Sequence, residues 1–147
     1  MMKQKKNKRI AERLVQSVAC TYLHGLGFQE VHEEVTLGEK RLDIFARRDD
    51  GEFCAVEAKV GAARRAFSQA SKYQHVAQTI YVALYGKTSG IAEELAKVTG
   101  IGLIMVTLSQ EGDLIPRLVV EAQESPFFER SLANHIWAER TKAEYAV

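Results

Sequence analysis

Three charged residues interrupt stretches that otherwise have the apolar pattern of buried β-strands. Asp43 lies within the apolar run 41–46, and Glu57 and Lys59 lie within the apolar run 52–60. Because side chains alternate between the two faces of a strand, Glu57 and Lys59 are expected to point the same way. Burying two carboxylates beside an ammonium group is unfavourable unless another group compensates for their desolvation. A divalent cation held by both carboxylates is one such compensation, and hard oxygen ligands suit Mg²⁺.

A predicted β-hairpin brings these three residues together. Residues 49–51, Asp-Asp-Gly, separate the two apolar runs, and an Asp-Gly pair in that position is a good hairpin signal. We therefore predict that Asp43, Glu57 and Lys59 converge on one cleft, within reach of a single cation. Without the cation, at least one of the two carboxyl groups should have a raised pKa, because close carboxylates repel and burial penalises the charged form. The open alternative is a buried salt bridge to Lys59 with no catalytic role.

The rest of the chain supplies the elements that would position this hairpin. A first helix is predicted from the N-cap candidate Asn7 to Gly25. Its predicted apolar stripe consists of Ile10, Leu14, Val15, Val18, Tyr22 and Leu26. Strands are predicted at 28–37, 41–46, 52–60, 79–84, 101–108 and 114–120, and helices at 63–77, at 89–99 and from Pro126 onward. The last helix and its approach should close the core with Phe127, Phe128, Leu132, Ile136 and Trp137.

The lengths of the connections predict how the strands pair. Short turns between the early strands favour antiparallel pairing, whereas helical connections between the later strands favour parallel pairing. The predicted fold class is therefore α/β, with a central mixed sheet, helices on both of its faces and residues 114–120 as an edge strand.

Composition restricts the class of protein further. The chain has 147 residues, 46% of them apolar and 27% charged, which indicates one soluble globular domain over residues 1–147. No apolar run approaches the roughly 18 residues of a membrane span, so no membrane association is expected. Cys20 and Cys54 lie in apolar segments, and as reduced core thiols they favour a cytoplasmic protein. Basic side chains crowd residues 1–9, which form either a solvated terminus or a flexible arm for phosphates.

At the charged hairpin the chain resembles the PD-(D/E)XK nuclease superfamily, whose members share the restriction-endonuclease-like fold. The match is Asp43, then thirteen residues, then Glu57-Ala58-Lys59. The predicted element order up to the strand at 101–108 is also similar to the core of that superfamily. Gln69 and Tyr73 resemble a Gln-x-x-x-Tyr motif that follows the acid-x-Lys strand in many members. Leu42 stands in place of the motif's proline, at a position that varies widely in the superfamily.

The resemblance implies a Mg²⁺-dependent nuclease in which Mn²⁺ can substitute for Mg²⁺. Asp43 and Glu57 would ligate the cation together with the backbone carbonyl of Ala58, and Lys59 would orient or deprotonate the attacking water. Gln69 would position the nucleic-acid backbone or another site residue. Some members also carry a metal-site acid on the first helix, where this chain has Glu12. Glu33 and Glu34 on the first strand are rival third carboxylates.

The implied partner is nucleic acid, with DNA expected. Phosphate contact or base stacking is expected from Arg64, Arg65, Lys72 and Tyr73. These groups suit phosphates rather than base edges, so recognition should depend on nucleic-acid structure more than on sequence. A homodimer would be needed to supply two sites for two-strand cutting. Two other functions stay open: a nuclease-like domain that binds nucleic acid or a protein partner without cutting, and a structural protein whose buried charges form a salt bridge.

Overall fold

A computed structural model describes the backbone of residues 2–87 and 89–145 and the side chains of residues 12–87 and 89–140. The elements are α1 (Met2–Gly25), β1 (Glu30–Leu37), β2 (Lys40–Arg47), β3 (Phe53–Val60), α2 (Ala63–Ala70), β4 (Thr79–Tyr85), α3 (Gly90–Thr99), β5 (Gly102–Leu108), β6 (Leu114–Val120) and α4 (Arg130–Tyr145). A short 3₁₀ helix, Ser71–Tyr73, follows α2 directly. Within the described part of the chain, no helix is long and apolar enough to cross a membrane.

The six strands form one mixed sheet in the order in which they occur along the chain. β1, β2 and β3 pair antiparallel, β3, β4 and β5 pair parallel, and β6 returns antiparallel beside β5. The predicted mixed α/β class and the predicted edge strand are therefore confirmed.

The hairpin between β2 and β3 forms where the Asp-Gly signal predicted it. Gly51 adopts φ +89°, and its N–H donates to the Arg48 carbonyl at 3.0 Å. The N–H of Glu52 donates to Asp50 Oδ1 at 2.9 Å, which stabilises the same turn. The strand register from Arg47 opposite Phe53 to Ile44 opposite Val56 then brings the Asp43 end of β2 beside Glu57.

Both faces of the sheet are buried, and β3 contributes to each core in alternation. Phe53 and Ala55 belong to a core that also contains buried residues of α2, α3 and α4. Cys54, Val56 and Ala58 belong to a second core, which α1 covers. Helices therefore flank both faces, as predicted.

The first helix differs from its prediction in its start and in its buried face. It begins at Met2, so Asn7 is not its N-cap. Val15, Ala19 and Leu23 are fully buried, whereas Leu14 is 49% exposed. Leu14 lies five positions before Ala19, roughly 140° around the helix from it at ~100° per residue. Ile10 and the side chains of the basic stretch 1–9 lie outside the described side chains.

Two later helices are shorter than predicted. The helix predicted over 63–77 ends at Ala70, where the Ser71 hydroxyl donates to the Ser68 carbonyl at 2.7 Å. The last helix begins at Arg130 rather than Pro126. Residues 121–129 instead form a connection without helix or strand.

The connection 121–129 is tied to the chain before β4. Ser125 donates to the carbonyls of Gln78 and Gln74 through its N–H and its hydroxyl, at 2.8 and 2.7 Å. In this loop Phe127 is 55% exposed, so the prediction that it closes the core is wrong. Ile136 and Trp137 are buried in the core, and Phe128 and Leu132 pack against it, as predicted.

Gly102 on β5 pairs with Tyr81 on β4 and has no room for a side chain. A Cβ built on Gly102 would overlap the Tyr81 ring and lie 2.7 Å from the backbone nitrogen of Ala122. The ring cannot move aside freely, because its hydroxyl accepts a hydrogen bond from the Ala122 N–H at 3.3 Å. We expect Gly102→Ala to lower the free energy of unfolding by about 3 kcal/mol in urea titration. The control Gly90→Ala, with no atom within 4 Å of its added Cβ, should be neutral or slightly stabilising.

Candidate catalytic cleft

A cleft of about 620 Å³ opens where α1, the β1–β3 meander and α2 with its 3₁₀ extension meet. It is lined by Glu12, Arg13, Gln16, Glu34, Lys40, Arg41, Asp43, Glu57, Ala58, Lys59, Gln69, Lys72 and Tyr73. The predicted convergence of Asp43, Glu57 and Lys59 on one cleft is therefore confirmed. Gln69 and Lys72 line the same cleft from the α2 side.

A local irregularity of the β1–β2 ladder lies at the centre of this cleft. Glu33 pairs with Ile44 and Val35 pairs with Leu42, but the intervening Glu34 and Asp43 are not paired. Glu34 adopts a left-handed backbone with φ +56°. Asp43 instead turns its carboxylate to β3, where Oδ2 accepts the Ala58 N–H at 2.9 Å. The carboxylate of Asp43 is thereby fixed against the peptide that follows Glu57.

Glu57 is the one buried charged side chain among the described residues, with 5% exposure. Its Oε1 accepts the Tyr73 hydroxyl at 2.8 Å, and its carboxyl group shares the cleft with that of Asp43. Burial, followed by the hydrogen bond and the negative charge of Asp43, raises the pKa of Glu57 to about 8 against the opposing effects of Tyr73 and Lys59. At neutral pH without a cation, Glu57 is therefore largely protonated. The predicted rise in pKa for at least one carboxyl group is confirmed.

Lys59 faces the same cleft without closing a salt bridge to either carboxylate. It is half-buried at the end of β3. Among the described residues, none of the ion pairs within 4.0 Å involves Lys59. Its positive charge nevertheless lowers the pKa of Glu57. These contacts do not support the alternative of a buried salt bridge, and they leave the ammonium group available to the cleft.

Tyr73 has a different part in the site from the one predicted. Its side chain is only 4% exposed and belongs to the core beneath α2, so it cannot stack on a base. Only its hydroxyl reaches the cleft, where it holds Glu57. Arg64 and Arg65 are exposed on α2 and do not line the cleft, so the structure does not bring them to the site.

Several lining residues were not predicted from the sequence. Arg13 and Gln16 extend the α1 wall beyond Glu12, and Lys40 and Arg41 lie on β2 just before Asp43. The nearness of Lys40 and Arg41 to Asp43 in the sequence was the available signal. Of the rival carboxylates, Glu34 lines the cleft. Glu33 does not line it, and its Oε1 accepts a hydrogen bond from Gln16 Nε2 at 3.0 Å.

The donor set fits a magnesium ion better than a structural zinc ion. Among the described side chains, no group of three or more His, Cys, Asp or Glu residues could hold a metal ion. Glu12 therefore lines the cleft without joining Asp43 and Glu57 in such a group, and its predicted place as a metal ligand is not supported. Two carboxylates, a backbone carbonyl and waters are still a suitable set for Mg²⁺, which retains several waters when bound.

The two cysteines offer no alternative nucleophile. Cys54 is buried and Cys20 is half-buried, and both are free thiols. Burial raises the pKa of each thiol to about 12, so neither is a thiolate at neutral pH.

The Tyr73 hydroxyl should set the pH at which Glu57 ionises. Because its hydrogen bond lowers the pKa of Glu57, Tyr73→Phe should raise that pKa by about one unit. The expected change is measured by carboxyl ¹³C chemical shifts of Glu57 during a pH titration. Tyr85→Phe, outside the cleft, serves as the control. An unchanged titration in Tyr73→Phe would show that the hydroxyl does not support the charged form of Glu57.

Comparisons with known proteins identify a shared fold and no family. No family model matches the chain, and no curated protein matches it. A solved structure described as SPO1766, a protein of unknown function from Silicibacter pomeroyi, aligns with a TM-score of 0.64 and 17% identity over 91% of this chain and 90% of that one. SfsA from Pyrococcus furiosus, solved in complex with Ca²⁺, aligns with a TM-score of 0.39 and 16% identity over 86% of this chain and 65% of that one. At these identities, the first likeness concerns the fold alone.

Proposed function

We propose that this protein is a metal-dependent nuclease that hydrolyses phosphodiester bonds of nucleic acid, with DNA as the expected substrate. The single observation that carries this proposal is that the carboxyl groups of Asp43 and Glu57 meet in one cleft that also contains Lys59, with Asp43 held against the peptide that follows Glu57. Two carboxyl groups so close together lower the stability of the empty site. A divalent cation would relieve their repulsion.

The residues of the cleft can each take a separate role in the reaction. Asp43, Glu57 and the carbonyl of Ala58 would hold Mg²⁺, which when bound activates a water and polarises the phosphate. Lys59 would orient the attacking water and stabilise negative charge as the water oxygen bonds to phosphorus. Gln69 would position the backbone of the substrate beside this centre. The P–O bond to the leaving oxygen then breaks, giving two chain ends.

The charge of the cleft supports a polyanionic substrate. Its basic residues are Arg13, Lys40, Arg41, Lys59 and Lys72, and its acidic residues are Glu12, Glu34, Asp43 and Glu57. With Asp43 and Glu57 engaged by a cation, the five basic groups face only two remaining acidic groups, Glu12 and Glu34. Lysine and arginine side chains contact phosphates in all sequences, so we expect recognition by nucleic-acid structure rather than by base sequence.

The resemblance noted at Asp43 and Glu57-Ala58-Lys59 agrees with this proposal. The observed element order, with an antiparallel hairpin followed by parallel strands, is the order that the resemblance implies. A homodimer would be required only if both strands of a duplex are cut together, since the cleft supplies one such centre per chain.

The proposal is tested by a cleavage panel of single-stranded, duplex and branched DNA together with RNA. Each substrate is incubated with the purified protein in Mg²⁺, in Mn²⁺ and in EDTA. We expect cleavage of at least one DNA substrate in either cation, none in EDTA, and cut sites without a shared sequence. Binding without cleavage in every condition would favour the non-cutting alternative. If the protein neither binds nor cleaves any of these substrates, that result would contradict a role in nucleic-acid metabolism.

A further inference from the structure

We propose that Arg41 binds a substrate phosphate at the mouth of the cleft. In the absence of substrate, the carboxylate of Glu34 holds the Arg41 guanidinium in place, and the phosphate displaces that carboxylate. This inference rests on the proposed function, because it identifies a substrate contact of the same cleft. It replaces the exposed α2 residues Arg64 and Arg65 as the expected arginine contacts.

Arg41 and Glu34 form an ion pair that a phosphate can open. Arg41 Nε lies 2.7 Å from Glu34 Oε2, and the two side chains are 66% and 45% exposed. Exposed ion pairs of this kind contribute little stability. A phosphodiester presents two non-bridging oxygens that share one negative charge and match the planar guanidinium fork, so it can compete for Arg41.

The backbone of Arg41 is connected to the proposed catalytic carboxyl pair through the hydroxyl of Tyr73. The Tyr73 hydroxyl donates to Glu57 Oε1 at 2.8 Å, and the Arg41 carbonyl, 3.3 Å away, is a weaker second acceptor for the same proton. Arg41 also lies two residues before Asp43 on the same strand. The guanidinium is therefore carried by a backbone whose distance from Asp43 and Glu57 is set by hydrogen bonds, and the side chain alone is left to move.

Glu34 is held in an unusual conformation where it meets Arg41. It is one of two non-glycine residues with positive φ in the described chain, the other being Ala62. Gln16 Nε2 lies 3.4 Å from its Oε1, so Glu34 is contacted from α1 as well as from Arg41. Such a conformation costs free energy and is retained where the surrounding structure requires it, commonly at functional sites. Here the positive φ of Glu34 turns its carboxylate toward the guanidinium of Arg41, the group that we propose binds the substrate phosphate.

The exposed lysines of the cleft are less suited to this contact, and Arg13 lies on α1 rather than on the strand that carries Asp43. Lys40 and Lys72 are exposed, flexible point charges without the planar fork of arginine. They can add to the general attraction for nucleic acid. Arg41 has both the planar fork and the hydrogen-bonded link to Glu57. Its replacement should therefore lower the affinity for nucleic acid by more than the loss of one positive charge alone would.

The test measures binding of a short fluorescein-labelled single-stranded DNA by fluorescence anisotropy in EDTA, over a series of salt concentrations. Arg41→Ala should weaken binding about tenfold and reduce the slope of log affinity against log salt by about one. Glu34→Gln should strengthen binding about threefold, and this gain should disappear when Arg41 is also alanine. Arg117→Ala, on the exposed face of the far edge strand, serves as the matched arginine control. Glu111→Gln, in the β5–β6 turn, is the matched carboxylate control.

The outcomes separate this inference from the proposed function. If Arg41→Ala binds like Arg117→Ala while the parent protein binds and cuts, the inference fails and the proposed function stands. An equal loss in Arg65→Ala and Arg41→Ala would also overturn the inference. A gain in Glu34→Gln that persists without Arg41 would overturn the assigned role of Glu34. If the parent protein binds no nucleic acid in EDTA or Mg²⁺, the proposed function and the inference both fail.

Discussion

Replacing Lys59 with alanine should lower the rate of Mg²⁺-dependent cleavage by a factor of about 10²–10⁴ while leaving the protein folded. The ammonium group lies in the cleft beside Asp43 and Glu57 but forms no ion pair with either of them within 4.0 Å in the described structure. Its removal should therefore affect the water and the developing charge more than the fold or the cation. Single-turnover cleavage, circular dichroism and Mg²⁺ titration measure the three properties separately.

Lys97→Ala is the matched control for this experiment. Lys97 pairs on the surface with Glu93 at 3.7 Å on α3 and lies outside the cleft. Its loss should change neither cleavage nor folding appreciably. Full cleavage by a well-folded Lys59→Ala protein would remove Lys59 from the mechanism. Loss of the native fold in that variant would instead revive the buried salt bridge as its role.

The affinity of the cleft for Mg²⁺ should rise about tenfold for each pH unit between pH 5 and pH 7 and level off above pH 8. With a pKa raised to about 8, Glu57 is protonated through this range, and a cation must displace that proton to bind. As pH rises past the pKa, Glu57 is already ionised and the dependence ends. Isothermal titration at pH 7, in two buffers of different ionisation enthalpy, should detect nearly one proton released per bound cation.

Glu57→Gln provides the control for this pH dependence. The amide has no proton to lose in this range, so the variant should bind Mg²⁺ weakly and without the slope between pH 5 and pH 7. A parent protein that binds Mg²⁺ with the same affinity throughout the range would contradict the raised pKa of Glu57. A slope retained in Glu57→Gln would assign the proton to another group.

The parts of the site that the sequence predicts correctly are those set by short-range patterns. Asp-Gly at 50–51 fixes the turn, and the turn fixes which residues of β2 and β3 are neighbours. Charges within apolar strands then identify Asp43, Glu57 and Lys59. These signals depend on residues close together in the chain, so tertiary packing did not alter them.

The parts that the sequence does not predict depend on packing between distant elements. Whether Tyr73 stacks on a substrate or supports Glu57 is decided by how α2 and its 3₁₀ extension lie on the sheet, and periodicity carries no information on that. The β1–β2 ladder is interrupted at Glu34, which has a positive φ, and no glycine at that position announces this irregularity in the sequence. In α1, Ala19 is buried because a small residue lets the helix approach the sheet. The hydrophobicity of the larger Leu14 favoured it as a buried residue, but it is exposed.

The start of the last helix shows a different limit of prediction. Proline is favoured in the first turn of a helix and also in loops, so Pro126 alone could not distinguish them. Ser125 decides the matter through its bonds to Gln74 and Gln78, which lie about fifty residues earlier in the chain. The exposed Phe127 follows from the same tether.

The central claim is that Asp43 and Glu57 together hold one divalent cation, and the most direct measurement is anomalous diffraction from crystals soaked in Mn²⁺. The account predicts one strong anomalous peak within coordination distance of carboxylate oxygens from both residues and of the Ala58 carbonyl. The same soak of Asp43→Asn crystals should show that peak lost or greatly weakened, while Asp113→Asn crystals retain it. The absence of a peak in the parent crystals, with Lys59 Nζ bonded to Asp43 or Glu57 instead, would contradict the account.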